Sequence, residues 1–290
     1  MKDKKKAAKI GIGEDVTVSD RISYLPDDLL FRILSLVPIT EAVNTSILSK
    51  RWTSVWKMMP MLEYDAKSCS FIKFCRRSLK LHEAPVLQTL TIRQKEQTSY
   101  HLKLPNTVFQ KLVVLKLYNI TRLDFSGKSS LCFRSMKSLH LTRVRFHGKE
   151  YFCRLVSSCP VLDELFLDTV TTDLRCCCSF TACKSVFTIS VPSLERLEIK
   201  DYSSVSTYPS KASRFKINAP SLKNLNLYIN GSNFEFYEER PKLVEASLLV
   251  DSSQTDNLFR FLTSVEFLSI HLYPTKVTHI IFHSQSYFKF

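Results

Sequence analysis

Two groups of residues in this 290-residue chain are of a type that could hold a metal ion. His279 and His283 form an H-x-x-x-H pair, but no Glu follows the first histidine as it does in the zinc-protease motif. Cys176–Cys178 and Cys183 form a dense cysteine cluster. Zinc sites usually combine spaced pairs from two places in the chain, and adjacent cysteines cannot easily reach one ion. We expect no metal site and interpret the cysteines as thiols in a loop.

Catalytic motifs are equally scarce in the sequence. It contains no Gly-rich phosphate loop, nucleophile elbow or kinase motif, and only five glycines. The isolated His140 is better explained as a surface contact than as a general base. We therefore expect a protein that is not an enzyme and uses no cofactor.

The composition indicates the cellular compartment of the protein. No segment has the roughly 18 consecutive apolar residues of a membrane span, and the charged N-terminus is unlike a secretory signal. The nine cysteines, an odd number without regular spacing, fit a reducing compartment. We expect the nucleus, the cytoplasm or both. Residues 1–19 are predicted to be a disordered basic tail, and the run Lys4–Lys6 could serve as a nuclear-import signal.

The formal net charge of +14 raises a nucleic-acid hypothesis. The excess is spread along the chain, with net charges of +2 in residues 1–19, +3 in residues 20–84 and +9 in residues 85–290. A spread excess favours solubility as readily as it favours a phosphate partner. We expect no nucleic-acid partner.

Three short helices are predicted between residues 20 and 65. The first begins after Pro26, with two aspartates in its first turn, and ends at Pro38. Thr40 is predicted to cap the second helix and Ser49 the third.

The first helix has two adjacent apolar stripes, Leu29–Ile33–Leu36 and Leu30–Leu34–Val37. A module this small buries little of its surface and cannot cover both. One stripe should pack inward, and the other needs a partner.

The pattern L-x-x-L-x-L recurs eight times after residue 84. The middle positions are between 21 and 32 residues apart, close to the period of about 20–29 residues in leucine-rich repeats. The longest gap contains the cysteine cluster and indicates an insertion. The copies start at Leu87, Leu112, Met136, Leu162, Leu194, Leu222, Leu243 and Val265.

Each copy predicts a short strand and a return segment whose leucines stack on neighbouring copies. The predicted fold class is therefore α/β, with a three-helix module followed by a solenoid that has a parallel concave sheet. Residues 66–84 are predicted to form a linker with an amphipathic capping helix over residues 70–82. Residues 85–273 form the repeats, and residues 274–290 are predicted to be an irregular tail.

The residues between the leucines should face the concave side and bind a target. Four cations and four carboxylates are predicted there, unlike the strongly one-signed surface that follows a phosphate backbone. The predicted target-binding residues are Arg93, Lys116, Tyr118, His140, Glu164, Phe166, Asp168, Arg196, Glu198, Lys200, Asn226 and Tyr228.

The helical module resembles the F-box, specifically that of plant F-box/leucine-rich-repeat proteins, many of which also carry a C-terminal FBD region. The resemblance is carried by Asp20–Ser35, by Ala42–Trp52, by Trp56 and Pro60, and by Ser78–Pro85. It covers most of the chain from Asp20 to about residue 273. Because family members usually continue through further repeats, we expect a C-terminally shortened member.

The resemblance implies a substrate receptor of an SCF-type cullin–RING ubiquitin ligase. The F-box would dock on a Skp-type adaptor, and through it on a cullin, while the repeats hold a target protein. An alternative is a leucine-rich-repeat binding module without ligase function because of the shortened C-terminus. The adaptor-binding residues implied by the motif are Leu25, Pro26, Leu29, Leu30, Ile33, Leu34, Val37, Pro38, Val43, Leu48 and Trp52.

Overall fold

A computed structural model describes residues 22, 24–66, 68–95, 101–105, 108, 110–124, 132–172, 186–201, 214–229, 233–237, 243–251, 262, 265–273 and 286–289. The predicted basic tail with Lys4–Lys6 lies outside these residues. So do Cys176–Cys178, Cys183 and the pair His279 and His283.

The N-terminal module consists of three short α-helices and one 3-10 turn. The helices are α1 (Asp27–Leu34), α2 (Ile39–Asn44) and α3 (Lys50–Lys57), and the 3-10 turn is Thr45–Ile47.

The predicted helix starts are confirmed for α1 and α3 but not for α2. Pro26 and Ser49 precede their helices, although the Ser49 side chain makes no capping hydrogen bond. The prediction of Thr40 as a cap is wrong, because Pro38 occupies that position with φ −55° and ψ 144°. Proline suits it, since its φ is fixed near this value and it has no N–H to leave unpaired.

A buried apolar core and one arginine hold the three helices together. Leu30 and Leu34 of α1 are buried with Trp52 of α3. The Arg51 guanidinium donates to the Leu25 carbonyl oxygen and, at 2.8 Å, to the Asp27 carboxylate. This side chain therefore ties α3 to the chain segment that leads into α1.

Among the described residues, seventeen strands and two further helices follow. In chain order they are β1 (Met61–Ala66), α4 (Cys69–Leu81), β2 (Leu87–Gln94), β3 (His101–Lys103), β4 (Leu112–Tyr118), β5 (Arg122–Asp124), β6 (Ser138–Thr142), β7 (Arg145–Phe146), α5 (Lys149–Ser157), β8 (Glu164–Asp168), β9 (Thr171–Thr172), β10 (Val186–Ser190), β11 (Arg196–Asp201), β12 (Arg214–Asn218), β13 (Asn224–Ile229), β14 (Asn233–Phe236), β15 (Glu245–Asp251), β16 (Phe267–Tyr273) and β17 (Ser286–Lys289).

The predicted α/β repeat architecture is confirmed. One large sheet has the order β1-β2-β4-β6-β8-β11-β13-β15-β16-β17, and all its pairs are parallel except β16–β17. The apolar positions of the first seven copies of the pattern are at most 1% exposed. In the eighth copy Leu268 and Ile270 remain partly exposed.

The return segments carry two smaller parallel sheets, which the sequence pattern did not predict. Their strand orders are β3-β5-β7-β9 and β10-β12-β14. A column of buried rings connects them through α5: Phe146 contacts Phe152, Phe152 contacts Phe187, and Phe187 stacks on Phe215, with centroid separations of 5.6, 5.0 and 5.5 Å. These rings fill the space between the leucines of the large sheet and the return segments.

The large sheet begins earlier than the leucine pattern does. Residues 61–65 are predicted to belong to the helical module, yet β1 pairs in parallel with β2, with Met61 opposite Thr89. The predicted helix over residues 70–82 is confirmed as α4. Tyr64 is fully buried beneath α4 and its hydroxyl lies 2.8 Å from Ser78 Oγ. Together, β1 and α4 form an additional repeat next to the helical module.

The predicted irregular tail contains one strand. Ser286–Lys289 forms β17, which pairs antiparallel with β16. The edge of a β-strand offers unpaired N–H and C=O groups to any segment that can reach it.

Three successive repeats turn at the same point. Asn119, Arg143 and Thr169 each follow a strand of the large sheet and have φ values of 57°, 52° and 51°. Their N–H groups donate to the carbonyls of Thr142, Asp168 and Lys200 at 2.9, 2.7 and 2.8 Å. The left-handed conformation, unusual for residues other than glycine, thus continues the hydrogen-bond ladder between repeats.

None of the helices within the described ranges has the length and apolarity needed to cross a membrane.

Replacing Leu165 with alanine should lower the free energy of unfolding by about 2–5 kcal/mol, since this fully buried side chain would leave a cavity between β6 and β11. Urea unfolding followed by circular dichroism measures the loss. Val161→Ala is the matched control, because Val161 is 41% exposed and should change stability by less than about 0.5 kcal/mol. Equal losses in both variants would contradict the assigned core.

Candidate functional site

The two apolar stripes of the first helix differ in their exposure to solvent. Leu30 and Leu34 are 1% and 2% exposed, whereas Leu29, Ile33 and Leu36 are 42%, 43% and 85% exposed. One stripe therefore packs inward through Leu30 and Leu34 and the other remains uncovered, although Val37, the third residue of the inward stripe, is 40% exposed. Two further apolar residues of the module, Ile47 and Leu48 at the 3-10 turn, are 87% and 67% exposed. We call the set Leu29, Ile33, Leu36, Ile47 and Leu48 the docking face.

Three residues predicted to bind the adaptor are buried in the structure. Leu30, Leu34 and Trp52 lie in the module's own core. Of the others, Leu25 and Val43 are partly buried against that core. Pro26, Leu29, Ile33, Val37, Pro38 and Leu48 are exposed.

The adaptor prediction also omits two of the most exposed apolar residues. Leu36 stands at helical spacing from Ile33 and could have been included on that ground. Ile47 lies at the end of a 3-10 turn where the sequence predicts continuing α-helix. The spacing of apolar residues expected for an α-helix therefore could not predict that Ile47 faces solvent.

A groove of about 710 Å³ lies where the module meets the large sheet. The α1–α2 turn forms one wall with Leu36 and Val37, and Met61 and Phe71 of the first repeat lie on the opposite side. The carboxylates of Glu63 and Asp65 border the groove. It leads from the docking face toward the concave side of the sheet.

The register of the large sheet places the concave residues in three rows. Neighbouring strands of a sheet are about 4.8 Å apart, so residues that follow one another in a row are within side-chain reach. All twelve predicted target-binding residues lie in these rows. From β1 to β13, the first row is Met61, Thr89, Val114, Ser138, Glu164, Arg196, Asn224; the second is Glu63, Thr91, Lys116, His140, Phe166, Glu198, Asn226; the third is Asp65, Arg93, Tyr118, Thr142, Asp168, Lys200, Tyr228.

Strand β1 changes the charge balance of the concave face. It adds Glu63 and Asp65, which the sequence pattern did not assign to this surface. Among the described side chains of β1 to β15, the concave positions then carry four lysines and arginines and six carboxylates. The face therefore carries a net negative charge although the whole chain is basic.

Ion pairs within the face, both between strands and along β11, engage most of the cations. Arg93 binds Glu63, and its guanidinium lies 3.9 Å from Asp65. Further along the sheet, Arg196 pairs with Glu164 at 3.6 Å and Lys200 with Glu198 at 2.6 Å. Within the described part of the chain Lys116 is the concave cation outside these pairs.

Ser138, His140 and Glu164 form a compact hydrogen-bonded cluster in the middle of the face. The Ser138 hydroxyl donates to Glu164 Oε2 at 2.7 Å and lies 2.8 Å from His140 Nε2. The carboxylate is also nearest to Nε2, at 3.6 Å. In a serine-hydrolase triad the acid instead binds Nδ1 and orients the imidazole as a base. The cluster is thus arranged to hold these side chains in place rather than to activate the serine.

The pKa values of both titratable groups of this cluster are lowered, which favours the neutral form of His140 and the charged form of Glu164. Partial burial lowers the pKa of His140, and the nearby Lys116 charge adds to this effect. Burial alone would raise the pKa of Glu164, but the Ser138 hydrogen bond and the His140 and Arg196 charges outweigh it and lower that pKa. With His140 neutral at pH 7, Ser138 and Arg196 are the partners that keep Glu164 ionised.

Aromatic rings lie between the charged pairs. Phe166 stacks on His140 with their centroids 5.6 Å apart. The Lys200 ammonium lies 5.0 Å from the centroid of Phe166 and 5.2 Å from that of Tyr228. Tyr118 contacts the Arg93 guanidinium at 5.0 Å. These cation–π contacts stabilise the arrangement of the face.

A search of the described ranges finds no group of three or more His, Cys, Asp or Glu side chains placed to hold a metal ion.

Two family models match the chain. The F-box domain model matches residues 22–64. A second model, described as the LRR repeats of FBD-associated F-box protein At5g56370, matches residues 75–273.

Curated proteins of Arabidopsis thaliana are similar over nearly the whole chain. Putative F-box/FBD/LRR-repeat protein At5g56810 is 46% identical over 94% of this chain and 68% of its own length. Putative FBD-associated F-box protein At5g56820 is 42% identical over 97% of this chain and 68% of its own length. FBD-associated F-box protein At5g56370 is 35% identical over 93% of this chain and 69% of its own length.

The lowered pKa of His140 predicts that acidification destabilises the fold. The ordinary histidine pKa is 6.5, so below that pH the unfolded chain takes up the proton more readily than the folded chain. The free energy of unfolding should fall between pH 7 and pH 5, and the lowered pKa of Glu164 extends the loss below its ordinary value of 4.5. Urea unfolding at a series of pH values measures the slope.

His140→Gln should reduce this slope without removing it, because His82 is also buried and its pKa is also lowered. Stability that increases on acidification through pH 6.5 would contradict the assignment.

Proposed function

Because the chain belongs to the plant family of F-box/FBD/LRR-repeat proteins, we propose that it is a substrate-receptor subunit of an SCF-type cullin–RING ubiquitin ligase. The F-box docks on a Skp-type adaptor and through it on a cullin. The leucine-rich repeats hold the target protein, and other subunits transfer ubiquitin. In this proposal the chain is a non-catalytic adaptor, as members of its family generally are.

The docking face is the observation that carries this proposal. Five large apolar side chains are exposed on a module of three short helices, and three of them are at least two-thirds exposed. Apolar surface removed from water contributes about 25 cal/mol per Å², so a partner that covers this face gains substantial affinity. The face lies within the residues that match the F-box domain model.

The connection between the two modules suits a receptor that must present its target at a fixed place. The N–H groups of Glu83 and Ala84 donate to the Lys57 carbonyl at 2.9 and 3.2 Å, and that of Gln88 donates to the Pro60 carbonyl at 2.7 Å. In addition, the Lys57 ammonium pairs with the Glu83 carboxylate at 2.8 Å. The helical module is thus bonded directly to the first strands of the sheet.

A second link crosses the same junction. The Lys111 ammonium donates to the carbonyls of His82 and Ala84 at 3.0 and 2.9 Å. The His82 ring in turn bonds the Met59 carbonyl at 2.9 Å. A rigid junction of this kind fixes the concave face relative to the docking face.

The double substitution Ile33→Asp, Leu36→Asp should weaken binding of a purified Skp-type adaptor by about a hundredfold or more, since two carboxylates would be buried against its apolar surface. Isothermal titration calorimetry measures the affinity. The fold should remain intact, because both side chains already face solvent.

Val161→Asp is the matched control, because Val161 is exposed to a similar degree but lies in the repeats. It should leave adaptor affinity unchanged. Adaptor binding that survives the double substitution would refute the assigned docking face, and an unaltered chain that fails to bind the adaptor would refute the proposed function.

A further inference from the structure

Helix α4 of the first repeat carries four cations and no carboxylate. Lys73, Arg76, Arg77 and Lys80 are separated by three, one and three residues. With 3.6 residues per turn, this spacing places them within about 100° of arc on one face of the helix. All four side chains are exposed. We call the set the basic stripe.

The opposite face of α4 packs on the large sheet. Ile72 and Leu79 are at most 6% exposed, and the buried Tyr64 of β1 contacts the same face through Ser78. Side chains alternate along a strand, so Tyr64 points away from the concave side, where its neighbour Glu63 lies. Helix α4 therefore covers the convex side, and the basic stripe faces solvent there.

The basic stripe has no counter-charge of its own. Within the described part of the chain none of its four cations has an ion pair, whereas Lys57 pairs with Glu83 and Lys223 with Glu195, each at 2.8 Å. Like charges three or four residues apart destabilise a helix, and the stripe contains four such pairs. The sequence thus retains a charge pattern that the folded chain alone does not need.

The surroundings of the stripe limit the kind of anion that fits. A membrane-bound amphipathic helix inserts its apolar face into the lipid, but in α4 that face packs on the sheet. Nucleic-acid affinity depends on many phosphate contacts along the backbone. The stripe offers four charges over about 10.5 Å, and Arg122, Arg143 and Arg145 of the following return segments already have interactions within the chain. A partner with a few closely spaced carboxylates fits better.

The length of the stripe distinguishes between conformations of such a partner. Side chains on one face of a β-strand recur about every 6.7 Å, so an extended segment places only two carboxylates along the stripe. An α-helix with acids at i, i+3, i+4 and i+7 places four over the same 10.5 Å or so. The guanidinium groups of Arg76 and Arg77 can each bind a carboxylate through two parallel hydrogen bonds. An acidic helix therefore matches the stripe in both length and number of charges.

We propose that the basic stripe of α4 binds an acidic α-helix of the target protein, with four carboxylates on one side of that helix against the four cations. The concave face carries a net negative charge once β1 is included, so it repels the same helix. This inference rests on the proposed function for its biological setting, and it adds the convex side of the first repeat to the target-binding surface.

Fluorescence anisotropy with labelled fifteen-residue peptides tests the proposal on the full chain in complex with its adaptor. The striped peptide has glutamates at positions 5, 8, 9 and 12 in an alanine and glutamine background. The dispersed peptide has them at positions 5, 6, 11 and 12, which keeps the charge but spreads it around the helix, and circular dichroism checks that both are equally helical. The striped peptide should bind about fivefold or more tighter. Raising NaCl from 50 to 500 mM should weaken it by about tenfold or more, because exposed charges are screened.

Arg76→Gln with Arg77→Gln should weaken the striped peptide by about tenfold or more, since two charge-assisted contacts are lost. Lys149→Gln with Arg154→Gln is the matched control, because it removes the same charge from exposed positions of α5 and should change the affinity by less than about twofold. Thermal unfolding of each variant separates lost contacts from a lost fold.

A charge exchange provides a second, independent variant. Arg76→Glu with Arg77→Glu should reject the striped peptide and instead bind a peptide with lysines at positions 8 and 9. The spacing i, i+3, i+4, i+7 reads the same in both directions, so these positions oppose the exchanged pair whether the two helices are parallel or antiparallel.

Three outcomes would overturn the proposal: equal affinity for the striped and the dispersed peptide, equal losses in the folded α4 and α5 variants, or tighter binding of a mixed-sequence DNA duplex or of phosphatidylserine vesicles through the same residues. The same titrations on the chain without adaptor keep the two ideas apart. Peptide binding without adaptor binding would remove only the proposed function, and adaptor binding without peptide binding would remove only this inference.

Discussion

The in-register parallel pairing of the large sheet determines the position of nearly every side chain that could contact a partner. Because side chains alternate between the two faces of a strand, fixing the leucines of one copy against those of the next also fixes the three concave rows. A shift of one residue in any strand would send leucines to solvent and charges into the core. The cross-strand ion pairs and the stacked rings of the concave face therefore depend on buried contacts on the opposite side of the sheet.

The leucine spacing was sufficient to predict the solenoid, its parallel sheet and the whole set of concave residues, because period-two alternation leaves little freedom once the inward positions are known. The first strand escaped prediction, since Met61–Ala66 alternates in polarity but lacks the leading leucine of the pattern. The return strands were missed for other reasons. β7 and β9 are two residues long, too short to show any period, whereas β10 and β12 alternate over five residues but lie outside the leucine pattern.

Predictions for the helical module were weaker because helical spacing identifies faces but not which face packs inward. Both stripes of α1 are equally apolar, and only the position of Trp52 in the folded module shows that Leu30 and Leu34 are buried. The family motif does not distinguish the faces either, since a motif records residues needed for folding together with residues needed for binding. In the structure, exposure distinguishes the buried residues of the motif from the uncovered ones.

The direct bonding of Lys57 and Pro60 to the first strands has a geometric consequence for a ligase receptor of the proposed kind. Because these hydrogen bonds join the helical module to the first strands, the repeat that a target occupies sets its distance from the adaptor, in steps of about 4.8 Å per strand. The solenoid then acts as a molecular ruler. Relatives with the same docking surface could expose different lysines of their targets to the ubiquitin-carrying subunit simply by moving the recognition residues from one strand to another.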